Sequence, residues 1–140
     1  MTEKTVSGAE WSVLRIVWTL GSCTTREVID TLQNESDWKD STIKTLLKRL
    51  CDKEFLTTTK QGRQFTYQAV VNEQTAMNQT AVTMFSHFCA MKQGQTLIEL
   101  IEQEKLSRSD LQKIEKLAHV RAMTAPEQVD CNCLPDGTCD

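Results

Sequence analysis

The hydrophobic period of this chain turns from helical to strand-like near residue 54, and that change restricts the fold more than any other feature. Before it, apolar residues recur at helical spacing; over residues 55–70, β-branched and aromatic residues take their place. Residues 9–20 put Trp11, Leu14, Val17 and Trp18 on a helical stripe, and Gly21 follows as a stop. Thr24-Thr25-Arg26-Glu27 reads as a capping box. It opens a second helix that buries Val28, Ile29 and Leu32 and ends near Gln33-Asn34. Asp40 or Ser41 can cap a third helix reaching about Lys53, with Ile43, Leu46, Leu47 and Leu50 forming its apolar set. Residues 55–59 and 64–70 flank Lys60-Gln61-Gly62-Arg63, where glycine supplies positive φ, so the pair is expected to form a hairpin.

Helical spacing then returns. Asn72 can cap a long helix to about Lys92, with Met77, Ala81, Met84, Phe85 and Phe88 on one side, and Gly94 is expected to break it. Leu97, Ile98, Leu100 and Ile101 fall in a short helix, and Leu111, Ile114, Leu117 and Ala118 stripe a last one ending near Arg121. Beyond Met123, Pro126, Pro135 and Gly137 interrupt any regular pattern, leaving a loop or a ligand-organised knot. The expected fold class is therefore mainly α with a small β-hairpin. Its parts are a three-helix and hairpin module over 1–71, a helical region over 72–122 and a cysteine-bearing tail over 123–140.

With 140 residues and 39% apolar content, the chain can build one modest core or two small ones; collagen-like, coiled-coil-only and disordered readings are excluded. No apolar run approaches the roughly 20 residues that cross a bilayer. Met1-Thr2-Glu3-Lys4 begins no secretion signal, so a cytoplasmic location without membrane contact is expected. The net charge of −3 hides an uneven distribution. Residues 39–63 carry seven Lys/Arg against three Asp/Glu, whereas residues 71–140 carry six against ten. Local field, not net charge, decides what such a surface attracts.

Helix, helix, helix, hairpin is the order of a winged helix-turn-helix, whose third helix enters the major groove while the hairpin tip meets the backbone or minor groove. On the third helix, Ser41, Thr45, Lys48 and Arg49 lie opposite the apolar set. Lys48 and Arg49 suit phosphates or guanine edges, and Ser41, Thr42 and Thr45 are short donors that permit close approach. Lys44 belongs to the same basic set, and Lys60, Arg63 and Gln64 at the hairpin tip suit the backbone. The plainer alternative is a solvated helix with a charged outer face.

The stretches AEWSVLRIVWTLGSCTTREVIDTL, STIKTLLKRLCDKEFL and GRQFTYQAVV resemble the penicillinase-repressor (BlaI/MecI) family over residues 8–120. Trp18 matches the family's tryptophan late in the first helix, and Thr45-Leu46-Leu47-Lys48-Arg49-Leu50 matches its Thr-Leu-Leu-x-Arg-Leu core. Lys53-Glu54 departs from the family's usual Lys-Gly, at the turn from the third helix into the wing. The resemblance implies a homodimer joined through its C-terminal helices on a palindromic operator in double-stranded DNA, of TACAnnTGTA type. The residues agree: Met77, Met84, Phe85, Phe88, Leu111 and Ile114 could fill a second core shared between protomers, the alternative being a helical subdomain within one chain.

Three of the six cysteines crowd into CNCLPDGTC. Cys131 and Cys133 do not readily close on each other, but both thiolates can face one soft ion, and Pro135 and Gly137 let the chain double back to bring in Cys139. Soft thiolates suit Cu(I) and Zn(II). A reactive-thiol tail or an intermolecular disulfide is the alternative. The tail resembles the copper-responsive CopY-type branch of the same family, with its Cys-x-Cys-x4-Cys-x-Cys pattern. Here the spacing is one longer and one cysteine is absent, so Asp140, the terminal carboxylate, water or a partner cysteine is expected as fourth ligand. The resemblance implies that Zn(II) supports the DNA-bound repressor and Cu(I) displaces it, releasing copper-export genes; a copper chaperone is the candidate donor of Cu(I). Cys23, Cys51 and Cys89 are expected as small packing residues, and His87 and His119 as structural ones. No catalytic constellation is present, so no enzyme is expected. Two other functions stay open: a β-lactam-type repressor inactivated by proteolysis, and a copper buffer or metallochaperone that binds no DNA.

Overall fold

The computed structural model describes residues 5–135 and Cys139, in two compact units divided between residues 81 and 82. Helix α1 (Gly8–Leu20) starts at a capping box that sequence reading missed. The Ser7 hydroxyl accepts the Glu10 N–H at 3.1 Å, and the Glu10 carboxylate accepts the Ser7 N–H at 3.2 Å. Gly21, at φ 81°, ends the helix. Strand β1 (Ser22–Thr24) leads into α2 (Thr25–Glu35), which opens on the expected Thr24/Glu27 box.

Helix α3 (Asp40–Asp52) lacks the expected cap. Lys39 occupies the capping position without a side-chain bond, because Asp40 is already helical and its carboxylate accepts from Gln33 Nε2 of α2. Strands β2 (Leu56–Gln61) and β3 (Gln64–Ala69) form the hairpin, paired from Leu56↔Ala69 to Gln61↔Gln64. β1 joins the outer edge of β3, giving a three-stranded antiparallel sheet in the order β1-β3-β2. At three residues, β1 is too short to display an alternating pattern, so only its pairing with β3 defines it.

The apolar stripes of the three helices converge. Val13, Leu14 and Val17 of α1 meet Val28, Ile29 and Leu32 of α2 and Ile43, Leu46, Leu47 and Leu50 of α3, closed by Cys23, Phe55 and Leu56. Trp11 and Trp18 pack at the rim, and the Trp18 indole donates to the Val71 carbonyl at 2.9 Å. Glu10, 3% exposed, receives the Lys53 ammonium on both carboxylate oxygens at 2.8 and 2.9 Å, tying the start of α1 to the end of α3. Burial raises the Glu10 carboxyl, but the bonds from Lys53 and Ser7 outweigh it and hold it below the ordinary value. Glu54 then takes φ 67°, so the turn into the wing keeps a left-handed residue although its side chain is not glycine's.

The remaining helices are α4 (Glu73–Ser86), a short 3-10 turn (Ala90–Lys92), α5 (Gln93–Gln103) and α6 (Arg108–Ala122). Asn72 caps α4 as expected, its Oδ1 accepting the Thr75 N–H at 2.7 Å. The helix stops well before Lys92. His87 and Phe88 N–H bond only three residues back, to the Met84 and Phe85 carbonyls, and the Gln93 amide donates to Phe85 O at 2.6 Å. These bonds satisfy the terminal carbonyls without further helix. Gly94, expected as the breaker, sits inside the first turn of α5. Among the described residues from 82 onward, none is buried.

Candidate nucleic-acid interface and metal centre

α3 buries one side and leaves the other in solvent: Ser41, Thr42, Lys44, Thr45, Lys48 and Arg49 are all exposed. The Thr45 hydroxyl donates to the Ser41 carbonyl at 2.9 Å, so it meets a ligand mainly as an acceptor. The wing tip is a two-residue turn, Gly62-Arg63, with positive φ at Gly62 alone (64°). A glycine at the first central position is what a tight hairpin of matching twist requires. Lys60 and Gln64 therefore lie in the strands beside the tip. The Lys60 ammonium sits 5.5 Å from the centre of the Phe65 ring across the hairpin, a weak cation–π contact at an exposed site.

Between α2, α3 and the wing lies an open cleft of about 700 Å³, into which Thr25, Arg26, Lys44, Arg63 and Gln64 all contribute. Arg26 was missed in the sequence reading. It stands at the start of α2, with Asp30 3.6 Å away and both side chains exposed, and only the fold brings it beside Lys44 and Arg63. Three cations around one concave surface form an electrostatic footprint for phosphates.

The second unit holds the thiols. Cys131 and Cys133 lie in the irregular segment after α6, and Cys139 returns to them: Cys133 Sγ is 3.1 Å from Cys139 Sγ. Cys89, expected as a packing residue, joins them instead. Because α4 ends at Ser86, Cys89 falls in a turn rather than on a helix face, and its sulfur is 3.4 Å from Cys139 and 3.6 Å from Cys131. All four sulfurs lie within 4.8 Å of one another, and all four residues are half-buried, free cysteines. Tetrahedral Zn–S bonds of about 2.3 Å place sulfurs about 3.8 Å apart, so the donor set fits a single soft ion. Asp140, one expected fourth ligand, lies outside the described residues.

The cluster polarises its own members. The Cys133 N–H directed at Cys131 Sγ (3.3 Å), and after it the Cys139 thiol, lower the Cys131 thiol to about 6. Cys133 is pushed up by the neighbouring thiols of Cys139, Cys131 and Cys89, and Cys139 is raised by Cys131. The lowered Cys131 thiol favours the thiolate, the form that binds soft metals. The other two cysteines are as expected: burial first, and Glu27 second, push buried Cys23 up to about 11, and burial raises half-buried Cys51.

A three-helix module with an exposed basic helix and hairpin, followed by helices and a cysteine group that could bind a metal, has the make-up of a DNA-binding regulator. The chain belongs to the penicillinase repressor family, whose profile matches residues 6–119. That is a family of DNA-binding repressors, not of enzymes. An uncharacterised 16.5 kDa protein of Latilactobacillus sakei is 49% identical over the whole of this chain and 97% of its own length. Two solved structures are also similar. The DNA-binding domain of the repressor BlaI is 38% identical, over 52% of this chain and 90% of its own, with a TM-score of 0.48. The CopR repressor is 41% identical, over 49% of this chain and 99% of its own, with a TM-score of 0.42. Among the described residues, no helix is long and apolar enough to cross a membrane.

Proposed function

We propose that the protein is a cytoplasmic, copper-responsive transcriptional repressor that binds a palindromic operator of copper-homeostasis genes as a homodimer. Residues 1–71 read DNA, residues 72–122 pair with a second copy, and Cys131, Cys133 and Cys139 in the 123–140 tail hold the metal. The observation that carries this reading is the gathering of cysteine sulfurs within one ion's reach in a member of a repressor family. On α3, Lys48 and Arg49 meet phosphates or guanine edges, with Ser41, Thr42, Lys44 and Thr45 beside them, while Lys60, Arg63 and Gln64 brace the wing on the backbone. Support for the dimer comes from α5 and α6, where Leu97, Ile98, Leu117 and Val120 are each at least half exposed.

The Zn(II) form represses and the Cu(I) form releases DNA. The signal works only through a difference in affinity between the two arrangements of the dimer; moving it from 1:99 to 99:1 takes about 5.5 kcal/mol. The test is binding of the Zn(II)-loaded protein to a TACAnnTGTA duplex and to a scrambled duplex over a salt series. A preference for the palindrome is expected, and Lys48→Ala or Arg49→Ala should weaken binding and flatten the salt slope by about 1 for each phosphate no longer neutralised. Equal binding to both duplexes would overturn the repressor reading and leave a metal-buffering protein.

A further inference from the structure

The tail cysteines are not alone in the cluster: their partner, Cys89, comes from 42 residues earlier. It stands at the capping position of the 3-10 turn between α4 and α5, where its side chain makes no capping bond to the turn. The tail supplies what that turn lacks. Asn132, between Cys131 and Cys133, accepts the Ala90 N–H on Oδ1 at 2.9 Å. The tail therefore meets the turn at two adjacent points, through sulfur at Cys89 and through an amide oxygen at Ala90.

We propose that Cys89 is the fourth and switchable ligand of this site, bound to a four-coordinate ion together with the tail cysteines and left free when the tail alone satisfies Cu(I). The inference rests on the metal-binding reading above and adds where the signal enters the fold. Zinc sites made by protein side chains alone are almost always four-coordinate, and Cys89 supplies the donor that three tail thiolates lack. Cu(I) is equally thiophilic but accepts three thiolates or fewer, so the three tail cysteines suffice for it. The balance is simple. Four thiolates around Zn(II) carry a net charge of −2, any protons still on the sulfurs passing to solvent, and on exchange the Zn(II) leaves as the free ion. Three tail thiolates around one Cu(I) carry the same −2, and the released Cys89 sulfur takes one proton from solvent. No electron moves.

The consequence is mechanical. With Cys89 bound, the tail is strapped across the α4–α5 turn; without it, the tail loses its sulfur tie to that turn and keeps the Asn132 contact. The helices on either side of that turn carry the exposed Met84, Leu97 and Ile98, so the choice of ion reaches the apolar surface through which the chain is proposed to dimerise.

The test maps cysteine alkylation by iodoacetamide on the full chain under anaerobic conditions, using mass spectrometry. It compares the metal-free protein with protein carrying one equivalent of Zn(II) or of acetonitrile-stabilised Cu(I). With Zn(II), Cys89, Cys131, Cys133 and Cys139 are all expected to slow by about tenfold or more, since a metal-bound thiolate is no longer a free nucleophile. With Cu(I), the three tail cysteines should stay protected while Cys89 reacts as in the metal-free chain. If Zn(II) protects the tail and not Cys89, or Cu(I) protects Cys89 as well, the proposal is overturned while the metal-binding reading stands. If neither ion protects any tail cysteine, that reading fails too. Cys89→Ser should weaken Zn(II) binding by more than the roughly 10–100-fold that loss of an outer partner costs, and leave Cu(I) affinity unchanged. Unchanged Zn(II) affinity in the variant would also overturn it.

Discussion

Residues 5–81 and the described residues from 82 onward bury apolar surface to very different extents. In the first unit, side chains from three helices and the sheet meet so closely that Val13, Leu14, Val17, Val28, Ile43, Leu47 and Leu50 have no exposed surface. In the second, no described residue is buried, and large apolar side chains line α5 and α6 in solvent. The first unit carries its stability within one chain. Among its described residues the second has organised its polar bonds, its caps and its thiols but not a core, and it is on this unit that the proposed second copy and metal would act.

That contrast predicts unequal responses to the same kind of truncation. Leu47→Ala, in the filled core, should cost about 2–5 kcal/mol in a urea titration. Leu117→Ala, 62% exposed, should change the unfolding free energy of the isolated chain by no more than about 0.5 kcal/mol and show its effect in the dimerisation constant instead. Equal costs in the two would mean that the second unit has a core of its own.

The Glu10–Lys53 pair sharpens the first side of the comparison. Glu10→Gln should destabilise the fold by about 1–3 kcal/mol at pH 7, less than a fully buried pair because the Lys53 side chain remains partly exposed. The pH dependence has a definite sign. Folding lowers the pKa of Glu10 below its unfolded value, so its contribution is complete above the ordinary carboxylate range and is lost as pH falls through the folded value. The gap between parent and variant should therefore close below about pH 4. A gap that stays constant down to acid pH would assign the loss to packing instead of charge.

The smallest expected effect is a gain. Glu54 holds φ 67° with a side chain, a conformation that costs L-residues roughly 1–2 kcal/mol and glycine almost nothing. Glu54→Gly should stabilise the first unit by up to about 1 kcal/mol, less the entropy glycine gives to the unfolded chain. Thermal denaturation of the two proteins side by side reads the sign.

Most of the first unit could be read from residue patterns. Its helices bury stripes with the right period, Thr24 and Glu27 announce a cap, and a turn over Lys60-Gln61-Gly62-Arg63 is expected between two strand-like runs, of which Gly62-Arg63 forms the turn and Lys60 and Gln61 belong to β2. What escaped was non-local. β1 exists only through β3, Glu10 is buried only because Lys53 reaches it from the end of α3, and Arg26 faces the reading cleft only because α2 packs beside the wing. The thiol site shows the same division. Cys131, Cys133 and Cys139 declare themselves by spacing, whereas Cys89 required knowing that α4 ends at Ser86. Its signal was a weak one: Ser86 and the Gln93 amide compete for the last carbonyls of a helix whose apolar stripe runs on regardless.

The most direct measurement is a Cu(I) titration of the complex that the Zn(II)-loaded protein is proposed to form with a TACAnnTGTA duplex, followed by fluorescence anisotropy under anaerobic conditions. Loss of the complex on adding Cu(I), its persistence with further Zn(II), and its persistence with Cu(I) in a Cys131→Ser/Cys133→Ser protein are the expected results. A complex that survives Cu(I) in the parent, or that the double variant releases equally, would contradict a copper signal received at the cysteine cluster.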